Sequence, residues 1–166
     1  MAEPVASRPY MPGYGTLPAD EGTGLLPWSW AEEKLQQSHD FWLATVGPAG
    51  VPHLMPVWAV WNQDKLWFCC SNGSRKVRNL EAEPQCTLST DDALKPVVVR
   101  GRAERVTDVA GLEATIAAVN AKYGTSYGLD MVDPESQSVF AIAPEWAFAL
   151  DSDDFSGSPT RFTFAN

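Results

Sequence analysis

Apolar and polar positions change period several times along this chain, and each change marks an element. Trp30, Ala31 and Leu35 fall at helical spacing, and Ser29-Trp30-Ala31-Glu32 has the form of a capping box, so a helix is predicted from there to about Ser38. From Phe41 the period becomes two. Phe41–Val46 reads as a strand, Gly47-Pro48-Ala49-Gly50 as a turn, and 51–61 as a second, longer strand. Asn62-Gln63-Asp64 turns the chain into a third strand, 65–70. Two more strands are expected over 85–90 and 96–106. Asp108 then caps a helix with the stripe Leu112, Ile116, Val119 and Tyr123. After a polar loop, 138–143 and 146–150 read as the last strands. About seven short strands, mostly joined by tight turns, with three helices between them, favour an antiparallel barrel over a parallel sheet.

Residues 1–27 carry no periodicity. Pro9, Pro12, Gly13, Gly15, Pro18, Gly22, Gly24 and Pro27 argue against a regular element. Two readings stand: an extended arm that buries Tyr10 and Tyr14 on its own domain or on a partner subunit, or a frayed tail. The organisation expected is therefore an arm over 1–27 and one barrel domain over 28–166.

Between the third and fourth strands lies a short helix whose charges run against its dipole. Ser74 is a good N-cap and Pro84 a plausible stop. Arg75, Lys76 and Arg78 crowd the positive end, while Glu81 and Glu83 sit at the negative end. The chain has 12 basic and 21 acidic residues, so this segment gathers a quarter of its cations. Free backbone N–H groups, a serine hydroxyl and flanking cations together suit a phosphate, the anchor of a phosphorylated cofactor. The alternative is a solvated helix whose arginines pair with nearby carboxylates.

Composition narrows the partners. A net charge of −9 argues against duplex nucleic acid or an anionic membrane, each of which needs a broad basic face. At 45% hydrophobic with seven tryptophans, the 166 residues can build a substantial core. Cys69, Cys70 and Cys86 form no zinc-spaced cluster, and the first residues resemble no signal peptide. Both facts suggest a cytoplasmic protein with reduced thiols. Asp151, Asp153 and Asp154 lack the glycine and distal glutamate of an EF-hand loop, so no metal is expected.

The second strand is apolar on both faces. Pro52 and Pro56 confine it to a sheet edge or a bulge. Such a strand could present backbone groups to a flat heteroaromatic ring, or Pro56 could merely bend the barrel. His53 on this strand is either a polar contact for a ligand or a structural histidine. Trp58 and Trp61 could wall a planar ligand.

Read together, 50–58, Leu66-Trp67-Phe68 and 74–80 resemble the pyridoxamine 5′-phosphate oxidase-like split β-barrel superfamily. The likeness spans about 28–164, and within the superfamily the chain is most similar to actinobacterial flavin- and deazaflavin-dependent oxidoreductases of the B type. That resemblance implies a mainly β (α+β) fold, an FMN-binding split β-barrel with short flanking helices, paired into a homodimer with its sites at the interface. It implies that the ring lies along Met55, Pro56, Val57 and Trp58. The phosphate would be held by Ser74, Arg75 and Lys76, with Arg78 in support. The substrate pocket would be shaped by His53, Trp61, Arg161 and Phe162, the last two belonging to a tail that replaces the Arg-Leu-x-Pro ending of the vitamin-forming oxidases. Arg78, Arg100 and Arg102 are candidates for the acidic tail of a deazaflavin. The function implied is hydride transfer between coenzyme F-420 (an 8-hydroxy-5-deazaflavin), or alternatively FMN, and a small organic substrate. No residue is singled out as a catalytic acid or base. The rival is a non-catalytic carrier of flavin, deazaflavin or haem, for which His39 or His53 would be the axial ligand.

Overall fold

The computed structural model describes residues 3–165. These form nine strands, three α-helices and two short 3-10 turns. The strands are β1 Val5–Ser7, β2 Phe41–Val46, β3 Pro52–Val57, β4 Val60–Asn62, β5 Lys65–Ser71, β6 Gln85–Thr90, β7 Val97–Val106, β8 Gln137–Ala149 and β9 Thr160–Thr163. The helices are α1 Trp28–Gln37, α2 Arg75–Ala82 and α3 Val109–Tyr123. Every strand pairing is antiparallel, in the order β1-β9-β8-β7-β6-β2-β3, with β5 joining β8 and carrying β4. This is a split β-barrel with few helices.

The barrel divides along β8. Its first half pairs with β5 and its second half with β9, while β7 runs beside both. The two strands expected over 138–150 are therefore one. The register shifts at Arg100/Gly101, opposite Trp146 and Pro144, so Glu145 is the extra residue of a β-bulge that turns the strand pair. Gly101 is required there because an added Cβ would fall 2.2 Å from the Ala143 carbonyl oxygen. Inward positions from both halves form the core, including Phe41, Leu43, Leu88, Val99, Phe68, Ile142, Ala147 and Phe162. A smaller cluster forms where Leu112 and its neighbours on α3 cover Val60, Trp67, Val139 and Ala141 on the outside of the sheet.

Two local expectations change. The capping box of α1 is not made. The helix opens two residues earlier, at Trp28 with Pro27 in place of Ser29 as N-cap, and Glu32 instead accepts a 2.9 Å hydrogen bond from Trp61 Nε1. Residues 51–61 do not form one strand. The ladder ends after Val57 and restarts at Val60. At the break the Ala59 N–H donates to the Tyr123 hydroxyl (3.1 Å) and its carbonyl accepts from Lys122 Nζ (2.8 Å), so the last turn of α3 replaces the missing sheet partner.

The N-terminal segment is neither frayed nor without regular structure. β1 pairs with β9, matching Val5 to Thr163 and Ser7 to Arg161. Arg8 donates to the carbonyls of Gly157 (2.9 Å), Pro159 (2.6 Å) and Pro18 (2.8 Å). The arm is thus held by backbone pairing and one arginine rather than by its tyrosines, since Tyr10 and Tyr14 remain exposed. The aspartates near the C-terminus serve the same region. Asp154 accepts from the Thr23 and Gly157 N–H groups, and Asp151 and Asp153 hold Lys95. Among the described residues no helix is long and apolar enough to cross a membrane.

Candidate functional site

Helix α2 is built as its sequence requires. Ser74 has extended backbone geometry and accepts from the Val77 N–H at 3.5 Å. Val77, Asn79 and Leu80 are buried, and Asn79 Nδ2 donates to Thr45 Oγ1 at 2.9 Å, pinning the helix to β2. That leaves Arg75 and Arg78, three residues apart, on one exposed face. They form one wall of a cleft of about 500 Å³, whose other wall is the turn Gly47–Gly50 with Val51 and His53.

The electrostatics of α2 decide between the two readings of its charges. Glu81 is taken by Arg105 (3.1 Å), which also binds Asn72 Oδ1 (2.9 Å) and Ser138 Oγ (2.6 Å). Among the described residues no carboxylate pairs with Arg75, Lys76 or Arg78. Three unpaired cations at the positive end of a helix leave a net attraction for an anion. The three do not point the same way, however. Arg75 and Arg78 line the cleft, whereas Ser74 and Lys76 do not. The expected trio Ser74, Arg75 and Lys76 is therefore split, and Arg78 takes the more prominent place.

His53 adds a second sign of incompleteness. It lies opposite Thr45 in the β2–β3 ladder, and its Nδ1 is buried without a hydrogen-bond partner. Such an atom ordinarily finds one. The phosphate-and-ring group that the charges suggest fits this chemistry: two free guanidinium groups for an anion and an orphaned ring nitrogen beside them.

β3 is an edge strand, paired only with β2. Met55, Pro56 and Trp58 are exposed, whereas Val57 is in the core, so only its backbone is available to a ligand. Trp58 is stacked on Tyr123, with centroids 4.3 Å apart and planes 6° apart. The outer face of β2 and β3 is an apolar surface of Trp42, Val46, Leu54 and Pro56, with Trp42 43% and Leu54 56% exposed.

The four residues expected to shape a substrate pocket do not meet within the chain. Only His53 lines the cleft. Trp61 packs edge-on against Trp28, with centroids 5.9 Å apart, and is held by Glu32. Phe162 is fully buried, 5.2 Å from Trp28, and cannot wall an open pocket. Its inward position follows from the alternation of β9, which turns Arg161 outward beside Phe148. β8, β7 and β6 separate β9 from β2. Arg100 lies over the Trp146 ring at 5.6 Å, also outside the cleft. The sequence reading passed over Asn79 and Thr45. The one available signal for them was a polar residue on the inward side of a very short helix.

Lys122 was missed as well. Its Nζ lies 4.9 Å from the Phe41 ring centroid, and burial pushes its amine down to about 8 despite the nearby Asp91 and Asp40 carboxylates. The unfolded chain, with an ordinary lysine, binds more protons than the folded one between pH 8 and about 10.5, so this group makes stability rise with pH across that window. Replacing Lys122→Met is expected to remove that rise. The check is urea denaturation of both proteins at pH 8 and pH 10. A wild-type advantage that does not grow with pH would contradict the burial.

Residues 30–151 match the family model described as pyridoxamine 5′-phosphate oxidase. No curated protein matches the chain. A conserved hypothetical protein from Mycobacterium tuberculosis shares the fold, with a TM-score of 0.68 at 23% identity over 78% of this chain and 87% of that one. An F-420 reductase is similar with a TM-score of 0.56 and 26% identity, covering 68% of this chain and 91% of its own. HutZ, the haem storage protein from Vibrio cholerae, is similar with a TM-score of 0.59 and 25% identity, covering 69% of this chain and 87% of its own.

Proposed function

This chain belongs to the pyridoxamine 5′-phosphate oxidase family, and from that membership we propose that it is an oxidoreductase transferring a hydride between a deazaflavin of the F-420 type, or FMN, and a small organic substrate. The observation that carries the reading is the cleft between α2 and the Gly47–Gly50 turn. There Arg75 and Arg78 have no carboxylate partner and His53 Nδ1 has no hydrogen-bond partner. The likeness to an F-420 reductase supports the deazaflavin over FMN.

The bound ring would supply the hydride chemistry, and the chain's own work is to bind, orient and exclude water. Arg75 and Arg78 hold the phosphate through charge-assisted hydrogen bonds, reinforced by the α2 N–H groups. The unpaired edge of β3, from Met55 to Trp58, offers backbone N–H and C=O groups in a line that suits a flat heteroaromatic. His53 would offer its unpartnered Nδ1 to a polar atom of the bound group. The apolar outer face around Trp42 and Leu54 is the surface on which a second copy packs, forming a homodimer that closes the site against solvent. Arg161 stands on that outward side of the sheet and reaches a site only by way of the partner.

A carrier function is the second reading, motivated by the likeness to HutZ and by the unsatisfied His53 ring. Side-by-side titration of the purified protein with FMN, F-420 and haemin separates the two. Tryptophan fluorescence would follow binding, and absorbance would follow oxidation of the reduced cofactor by quinone acceptors. Saturable binding of F-420 or FMN with acceptor-dependent turnover is expected. Saturation by haemin alone, with a histidine-ligated spectrum that His53→Ala abolishes, would replace the oxidoreductase with a haem carrier.

A further inference from the structure

A second concavity lies on the other side of Trp58. It is an apolar cavity of about 200 Å³ between α3, β5 and the 3-10 turn Leu129–Val132. Ile116 and Val119 from α3, Phe68 from β5, and Val132 and Trp58 form its walls. The helix stripe explains why space remains. Thr115 is the buried residue at this level of α3, and its hydroxyl is spent on the Gly111 carbonyl at 2.8 Å, so a short side chain stands where a long one would fill the gap. The volume exceeds that of an engineered apolar cavity of about 150 Å³ known to stay dry and to accept benzene. Walls of this kind do not hold water well, because a buried water needs two to four polar partners.

The polar atoms are few and confined to particular places. The Cys69 thiol is occupied with the Met131 carbonyl (3.5 Å) and Gln137 Oε1 (3.8 Å). The Tyr127 hydroxyl has no hydrogen-bond partner among the described residues, although its backbone N–H and C=O are both tied to Asn120. The Gln137 amide nitrogen is likewise free. A pocket with aromatic and thioether walls and one or two unused polar groups fits a flat, mostly apolar molecule with a single polar substituent. Met131 at the cavity is 41% exposed, and its unbranched chain can shift to admit such a molecule.

We propose that this cavity is a binding site for a small aromatic molecule carrying one hydrogen-bonding substituent, of the phenol or indole class. The ring inserts between Ile116 and Val119 of α3 and Val132 of the 3-10 turn, and the substituent meets the Tyr127 hydroxyl or the Gln137 amide. The site is complete within one chain and requires no cofactor, so it stands or falls separately from the oxidoreductase reading.

The test uses the full chain without added cofactor. p-Cresol and indole are titrated by calorimetry, and 5-fluoroindole is followed by fluorine NMR. Saturable binding of one molecule per chain is expected. Val119→Phe, which fills the space, should weaken it by at least about tenfold while leaving the melting temperature equal or higher. Tyr127→Phe should weaken p-cresol several-fold and leave toluene unchanged. Ile116→Trp serves as a second filling variant should Val119→Phe fold poorly. Absence of saturable binding to the wild-type protein, or binding that survives in whichever filling variant is folded, overturns the proposal.

Discussion

Replacing Arg75 and Arg78 together by alanine is expected to weaken binding of F-420 or FMN by about 10²- to 10⁴-fold. Two charge-assisted hydrogen bonds would be lost, at roughly 1.5–3 kcal/mol each. Both side chains are exposed and neither helps to pack α2, which is anchored by Val77, Leu80 and the Asn79–Thr45 bond. The thermal midpoint should therefore change little. Lys76→Ala is expected to have a smaller effect, because Lys76 does not line the cleft. Calorimetry with each cofactor and a parallel melt checks all three proteins. Undiminished affinity in the double variant would move the anion site away from α2.

Phe162→Ala should act in the opposite way. Phe162 is fully buried in the barrel core, edge-on to Trp28 with an interplanar angle of 71°. Truncation should cost about 3–5 kcal/mol of stability through lost burial and a residual cavity. Cofactor affinity of the molecules that remain folded should be unchanged. Urea denaturation gives the first quantity, and titration well below the new midpoint gives the second. A pocket residue would produce the reverse result, with altered ligand binding and near-native stability.

The fold was legible because its strands obey a two-residue period and its turns carry their own chemistry, as at Gly47-Pro48-Ala49-Gly50. The basic face of α2 was legible for a related reason: charges opposing a dipole are visible without coordinates. What escaped depends on contacts distant in sequence. Nothing near Ala59 shows that Lys122 and Tyr123 would take over its backbone hydrogen bonds, so the break between β3 and β4 could not be read locally. The capping box of α1 failed because Glu32 met Trp61 from a different element. Phe162 was drawn into the pocket by resemblance, whereas the alternation Thr160, Arg161, Phe162 places it inward with Thr160. The site itself was half legible. The cations were foreseen, but the direction each one faces is set by the helix's register on β2 through Asn79 and Thr45.

The pairing of β1 with β9 has a consequence for how the molecule is made. Val5 and its register partner Thr163 stand far apart along the chain, with every other strand between them. The ladder must wait until all the intervening chain has been made, and closing so long a loop is entropically demanding. The nascent chain thus passes through a stage in which β8 lacks a neighbour along its second half, exposing a sticky edge to other polypeptides. Emergence of β9, rather than of any segment before it, is the event that seals the sheet.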